Sequence, residues 1–375
     1  MGGLLGRKNS DQWSTKNEAY KGILMVRLSA VGDVVRTLPS LAVLRKNFPS
    51  ARIAWLVEDK SSDILLGQPE LDDVIVFPRT VWANYLARGR WWSLCKETRR
   101  FIRRLRRQRF DLVIDFHGIF KSGLFSRITG AGVRVGFDRD FGKEWNYLFN
   151  NWRLPLENTR LSRFERNLNL LQGMRLDTEA AEISLYVSPE DQRYADDFVA
   201  KHGLAGRYPL VAIHPGTSEK TRYKRWFPAR YAQVADGLVE ELGASILVTW
   251  GPGERGTAEE VQSLTRSPCV VSCPTKSLKQ LAAIYGHCHL YIGGDTGPMH
   301  IASLMRVPVV VIHGPTDPVI NAPYSGTPAS QVRKDLPCSP CRDRHCQKLD
   351  CLKAIGPKEV LKTAKDVLLQ ANEAS

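Results

Sequence analysis

Residues 290–314 read LYIGGDTGPMHIASLMRVPVVVIHG. A short apolar run ends on Gly293 and Gly294, and a polar turn carries Asp295 and Thr296. A segment with helical spacing begins at Pro298, and a second apolar run closes on His313. Apolar strand, turn, helix, apolar strand is the repeating unit of a parallel sheet. Strands covered on both faces read as unbroken apolar runs rather than as alternating ones.

The same rhythm runs along most of the chain. GILMVRL, ARIAWLVE, DDVIVFP, FDLVIDFHG and GVRVGFD read as strands, with TLPSLAVLRKNF and a basic segment as helices between them. Residues 146–207 read as mainly polar and helical, with RFERNLNLLQGM the clearest helix. The rhythm then restarts with YPLVAIHPG, ARYAQVADGLVEELG, SILVTWGPG, TAEEVQSLT, CVVSCP and SLKQLAAIYGHC. Two doubly wound α/β domains are expected, residues 22–187 and 188–375, facing a cleft and preceded by a loose polar extension over residues 1–21.

With 375 residues, 43% of them hydrophobic and 25% charged, the chain can fill two cores. It holds no apolar run of about 18 residues or more. The N-terminal stretch has no signal-peptide core, and Gly2 after Met1 is only a weak myristoylation match, so the expected address is the cytoplasm. The net charge of +14 is concentrated: Arg88 to Arg109 hold ten Lys or Arg against one Glu. On a helix, Phe101, Ile102 and Leu105 share one face and Arg103, Arg104, Arg106 and Arg107 lie elsewhere, with Trp91 and Trp92 at the start. Such a segment suits an anionic membrane surface, although a solvated helix face explains it as simply. No RNA- or DNA-binding motif accompanies it, so nucleic acid is not an expected partner.

In open α/β sheets, ligands bind outside the carboxyl ends of the strands, and the polar constellations of this chain sit there. In RLSAVGDVVRTLP, Asp33 is either a general base or a helix cap, and from these residues alone capping is the simpler reading. In HPGTSEKTRYKRWFPARYA, Thr217 and Ser218 with Lys224 form a candidate phosphate site, or else a basic surface loop. In VTWGPGERGTAEEV, Glu254 suits ribose hydroxyls. In the opening stretch, Thr296 and Gly297 precede a helix whose exposed amides would hold an anion, most simply a diphosphate, unless Asp295 and Thr296 only cap it.

Taken in order, S-x-x-G-D-V-x-x-T-L-P, WLVE, VIDFHGIFKSG, KRWFP and D-T-G-x-x-H resemble the lipopolysaccharide heptosyltransferases of glycosyltransferase family 9 over about residues 22–360. The N-terminal half is most similar to heptosyltransferase I. The resemblance implies a GT-B fold and inverting transfer of L-glycero-D-manno-heptose from ADP-heptose to the Kdo or heptose of the lipopolysaccharide inner core. That would take place at the cytoplasmic face of the inner membrane. Asp33 matches the catalytic base; Thr217, Ser218 and Lys224 match donor-phosphate contacts, and Glu254 the ribose contact. Asp295 matches a sugar-side residue, and Thr296, Gly297 and His300 the diphosphate turn. His117 and Lys121, after another strand, are candidates for the acceptor side, although His117 is equally a candidate for an ordinary buried histidine. No Asp-x-Asp motif lies near these segments, so no cofactor is expected for catalysis. Two other readings stay open: a related transferase using another nucleotide sugar or a protein acceptor, and a non-catalytic basic binding protein.

CSPCRDRHCQKLDC places Cys338, Cys341, Cys346 and Cys351 at C-x2-C-x4-C-x4-C, ahead of an expected C-terminal helix. A structural zinc or iron on four thiolates is the leading expectation, with free thiols or disulfides as alternatives. The remaining cysteines, Cys95, Cys269, Cys273 and Cys288, are scattered.

Overall fold

The computed structural model describes residues 20–373 except 157, 159, 180–182, 273 and 342. Most of the expected N-terminal extension therefore lies outside the described residues, as does Cys273. Contacts divide the chain into two units between Ile183 and Ser184.

In the first unit the strands are β1 (Gly22–Val26), β2 (Arg52–Glu58), β3 (Asp73–Phe77), β4 (Leu112–Asp115), β5 (Val133–Phe137) and β6 (Trp152–Leu154). They form a parallel sheet in the order β3-β2-β1-β4-β5-β6. The helices are α1 (Val31–Val35), α2 (Leu38–Asn47), α3 (Arg79–Ala87), α4 (Trp91–Arg107), α5 (Phe120–Ile128) and α6 (Arg163–Gly173). β1 is buried throughout, as its unbroken apolar run requires. The order reverses between β1 and β4, and such a reversal leaves a crevice at the strand ends.

The basic segment is α4. Phe101 and Leu105 are buried, and Phe101 stands edge-on to Phe77 at 5.8 Å and to Phe125 at 5.7 Å. That aromatic cluster anchors the helix and leaves Arg103, Arg104, Arg106 and Arg107 on the exposed side. Trp91 and Trp92 are 62% and 89% exposed.

The second unit contains α7 (Pro189–Lys201), β7 (Leu210–His214), α8 (Pro228–Leu242), β8 (Ser245–Val248), α9 (Arg255–Leu264), β9 (Cys269–Val271), α10 (Leu278–Gly286), β10 (Leu290–Gly294), α11 (Gly297–Leu304), β11 (Val309–Ile312), β12 (Ala329–Val332), α12 (Asp350–Lys353) and α13 (Pro357–Glu373). Its sheet is parallel in the order β12-β11-β10-β7-β8-β9, reversing between β7 and β10. Trp226 and Tyr231 stack edge-on at 4.8 Å in its core, together with Val211, Ile213, Leu352 and Val360. Two doubly wound parallel sheets meet the α/β expectation of the sequence.

Two strands correct the sequence reading. β6 lies in the stretch read as polar and helical, and β12 went unread. Both are short edge strands of mixed burial, without the apolar run that marks an inner strand.

Candidate active site

In the first unit, Asp33 lies in the first turn of α1, whose N-cap is Ala30. The capping reading is thus corrected: its carboxylate is held by arginines instead. Arg27 reaches Oδ2 at 2.9 Å, and Arg36 and Arg163 reach Oδ1 at 2.8 and 2.6 Å. Burial raises the pKa of the carboxyl, but the three guanidiniums outweigh it and hold Asp33 well below the usual carboxylate range.

A cavity of about 210 Å³ opens beside it, lined also by His117, Lys143, Arg166 and Asn167. The Leu28 amide donates to His117 Nδ1 at 3.2 Å, so the neutral ring carries its proton on Nε2. Burial, helped by Arg27 and Lys121, pulls the His117 pKa down to about 3. His117 therefore offers the cavity a neutral donor. Asp115, wholly buried at the end of β4, shapes this turn by accepting from the His117 and Gly118 amides at 2.9 and 3.1 Å. Lys121 is not among the cavity-lining residues; it pairs with the buried Glu58.

In the second unit the candidate residues follow the ends of β7, β8 and β10. Lys224 Nζ lies 3.0 Å from Asp295 Oδ2, with the two side chains 19% and 5% exposed. His300 Nε2 is 3.7 Å from the other carboxylate oxygen. Thr296 stands at the N-cap of α11 but makes no side-chain cap bond. The helix start at Gly297 is therefore not closed by the Thr296 side chain, and the Gly297 and Met299 amides stand at its positive end.

Glu254, at the N-cap of α9, receives the Gly251 amide at 2.9 Å and lies 3.2 Å from His214 Nε2, both through Oε2. Burial raises its pKa, but these bonds and Arg225 lower it further, so it stays ionised. Gly216 allows this approach: a Cβ there would lie 2.4 Å from Glu254 Oε2. Of the two hydroxyls expected at the phosphate, Ser218 is exposed, whereas Thr217 is buried with its Oγ1 donating to the Thr221 carbonyl at 3.2 Å.

Several contributors escaped the sequence reading. Arg27, Arg36, Lys143, Arg163 and Arg166 line the first cavity. A signal existed for two of them: Arg163 and Arg166 open α6, where the helix dipole disfavours cations. His313, buried after β11, bonds Thr316 at 3.1 Å. Burial is the main cause of its pKa falling to about 4, which leaves it neutral beside Asp295 and Lys224.

The four cysteines of the C-terminal segment lie near one another. Cys338 and Cys341 are exposed, while Cys351 is buried in the core, its thiol pushed up by burial and by the neighbouring thiols. Among the described residues no group of three or more His, Cys, Asp or Glu is placed to hold a metal, and none of these four cysteines is in a disulfide. The segment is strapped to the loop after β11, Ser339 Oγ donating to the Gly314 carbonyl at 2.8 Å and the Cys341 amide to the Pro315 carbonyl at 3.1 Å.

The profile of glycosyltransferase family 9 (heptosyltransferase) matches residues 98–352. Lipopolysaccharide heptosyltransferase 1 of Pseudomonas aeruginosa is 29% identical over 334 residues, 86% of this chain and 87% of that protein. Its namesake from Escherichia coli K12 is 27% identical, over 80% of this chain and 90% of that one. Among solved structures, a family 9 glycosyltransferase from Veillonella parvula superposes with a TM-score of 0.76 at 22% identity, covering 95% of this chain and 99% of its own. The E. coli heptosyltransferase WaaC with ADP gives 0.70 at 21%, covering 92% and 99%.

Proposed function

The chain belongs to glycosyltransferase family 9 and is a glycosyltransferase, and on that premise we propose that it moves L-glycero-D-manno-heptose from ADP-heptose to the inner core of lipopolysaccharide. The observation that carries the reading is the Lys224–Asp295 pair at the end of β10, beside the uncapped start of α11. In the proposed reaction Asp33 takes the proton of the acceptor hydroxyl, whose oxygen bonds to the anomeric carbon while the bond to the diphosphate breaks on the opposite face. ADP leaves with the electron pair. Its growing charge is met by Lys224 and the first amides of α11, groups that stabilise the transition state more than the ground state. Glu254 Oε1 takes a ribose hydroxyl, Ser218 a donor phosphate, and Asp295 with His300 the sugar side.

The test is ADP release from ADP-heptose with heptose-free lipopolysaccharide as acceptor, read together with a heptose-sized mass gain on the acceptor. ADP release without that gain would refute the acceptor. Donor identity is checked by thermal shift: ADP is expected to raise the melting temperature more than UDP or GDP at equal concentration. A larger shift with UDP or GDP would favour another nucleotide sugar.

The acceptor is a membrane glycolipid in this reading, and no helix among the described residues is long and apolar enough to cross a membrane. The exposed arginines of α4, with Trp91 and Trp92 at its start, suit docking on an anionic surface from the cytoplasmic side. Replacing Arg103, Arg104, Arg106 and Arg107 by glutamine is expected to weaken binding to phosphatidylglycerol vesicles at least about tenfold. Turnover of a soluble, delipidated acceptor should continue. Equal vesicle binding before and after would remove α4 from the membrane contact.

A further inference from the structure

The three arginines do not hold Asp33 equally. Arg27 is anchored a second time, through Nη1 to the Phe116 carbonyl at 2.6 Å, and Arg36 through Nε to the Gly32 carbonyl at 3.1 Å. Their side chains are 11% and 7% exposed. Arg163 is 31% exposed, and its side chain has no second anchor among the described residues. It also stands at the start of α6, where the helix dipole repels it.

The groups around Asp33 in this cavity are Arg27, Arg36, His117, Lys143, Arg163 and Arg166. With His117 neutral, five cations face one carboxylate. Arg166 lies 4.4 Å over the Phe137 ring, and burial together with Arg27 and Arg163 lowers its pKa to about 10. An anion entering here would relieve that repulsion and compete with Asp33 for the least anchored guanidinium.

Resting on the reading of Asp33 as the base, we propose that Arg163 is a latch on that base: an anionic group of the acceptor, carboxylate or phosphate, draws the guanidinium away, so that acceptor binding itself opens one side of Oδ1, whose other side stays with Arg36, to take the hydroxyl proton. No covalent bond changes in this step. Arg163 exchanges one anion for another, and the carboxylate becomes a stronger base because one of its three counter-charges has moved. Before the acceptor arrives the base stays clamped, which suppresses attack on the donor by water. Arg163 is a positioning residue, acting through Asp33.

The experiment measures kcat and kcat/KM for the acceptor against pH, at saturating ADP-heptose, for wild type, Arg163→Gln and Arg163→Lys. The kcat/KM profile reports the enzyme before acceptor binds, and kcat reports the complex. For Arg163→Gln the acid limb of kcat/KM is expected to move to higher pH while that of kcat stays in place. The acceptor KM should rise about tenfold or more, since a charge-assisted bond to its anion is lost. Arg163→Lys, which keeps the charge, should restore part of both. Equal movement of both limbs would overturn the latch, because Arg163 would then sit on Asp33 throughout; so would movement of neither. Asp33→Asn in the same assay separates the two readings. A dead Asp33→Asn with limbs moving together ends only the latch, whereas an active one ends the base. A phosphatase-treated acceptor that preserves the difference between the limbs assigns the displacing group to a carboxylate; one that abolishes it assigns a phosphate.

Discussion

Asp33→Asn is expected to lower kcat by about a thousandfold, the scale of a positioned general base, while ADP still raises the melting temperature. The amide keeps the shape of the side chain and removes its ability to take a proton. It also removes the negative charge that three guanidiniums share, so a stability effect must be measured beside the kinetic one. The sign is definite. Asp33 has a depressed pKa in the fold, so its ion pairs stabilise the protein above the ordinary carboxylate pKa, and that contribution fades as pH falls through the lowered value. At neutral pH the variant should therefore melt lower than wild type, yet fold. Asp33→Glu, which keeps the charge and shifts the oxygens, is the control: it should regain stability more fully than turnover. Asp33→Asn with near-wild-type kcat would end the base assignment. His117 and His313, pulled down to about 3 and 4, cannot supply an alternative base that titrates near neutrality.

The second large effect is at Lys224. Lys224→Ala should cost roughly 100- to 1,000-fold in kcat, as for loss of one preorganised transition-state stabiliser, and should weaken ADP binding as well. Two causes separate cleanly. In the proposed reaction the ammonium is a point charge for the departing diphosphate; in the structure it is also the partner of Asp295, whose side chain is only 5% exposed. Removing the lysine leaves a buried carboxylate without its cation, which destabilises more than losing both partners does. The double variant Lys224→Ala with Asp295→Asn should thus recover melting temperature relative to Lys224→Ala while remaining inactive. Recovery of activity along with stability would mean that Lys224 serves the fold and not the chemistry.

Much of this was legible in the chain before any coordinates. Strand GILMVRL, strand LYIGGD and the helix after Pro298 declare themselves by unbroken apolar runs and helical spacing. Ligands bind at strand ends in such sheets, so Asp33, Glu254 and Asp295 stand out as candidates by position, while their roles, and the choice of His117, came with the family resemblance. Edge strands β6 and β12 were not legible, because they carry no apolar run. The four cysteines show the same limit: spacing shows that they are close in sequence, and the structure adds that the thiols of Cys338, Cys341 and Cys346 lie near enough to Cys351 to push its pKa up, while Cys351 is packed into the core and Cys338 is exposed.

What the sequence alone determined is the pair of α/β units and the ordered motifs, since both are written in short-range periodicity and in residue types within a turn of one another. What only the tertiary structure decided is who meets whom across long separations. Arg163 reaches Asp33 across 130 residues, and Lys224 reaches Asp295 across 71. The physical reason is that a charge carries no record in sequence of its partner. The pairing is set where each sheet reverses its strand order and brings distant strand ends together, and there an arginine that reads as an ordinary helix residue becomes a counter-charge of Asp33.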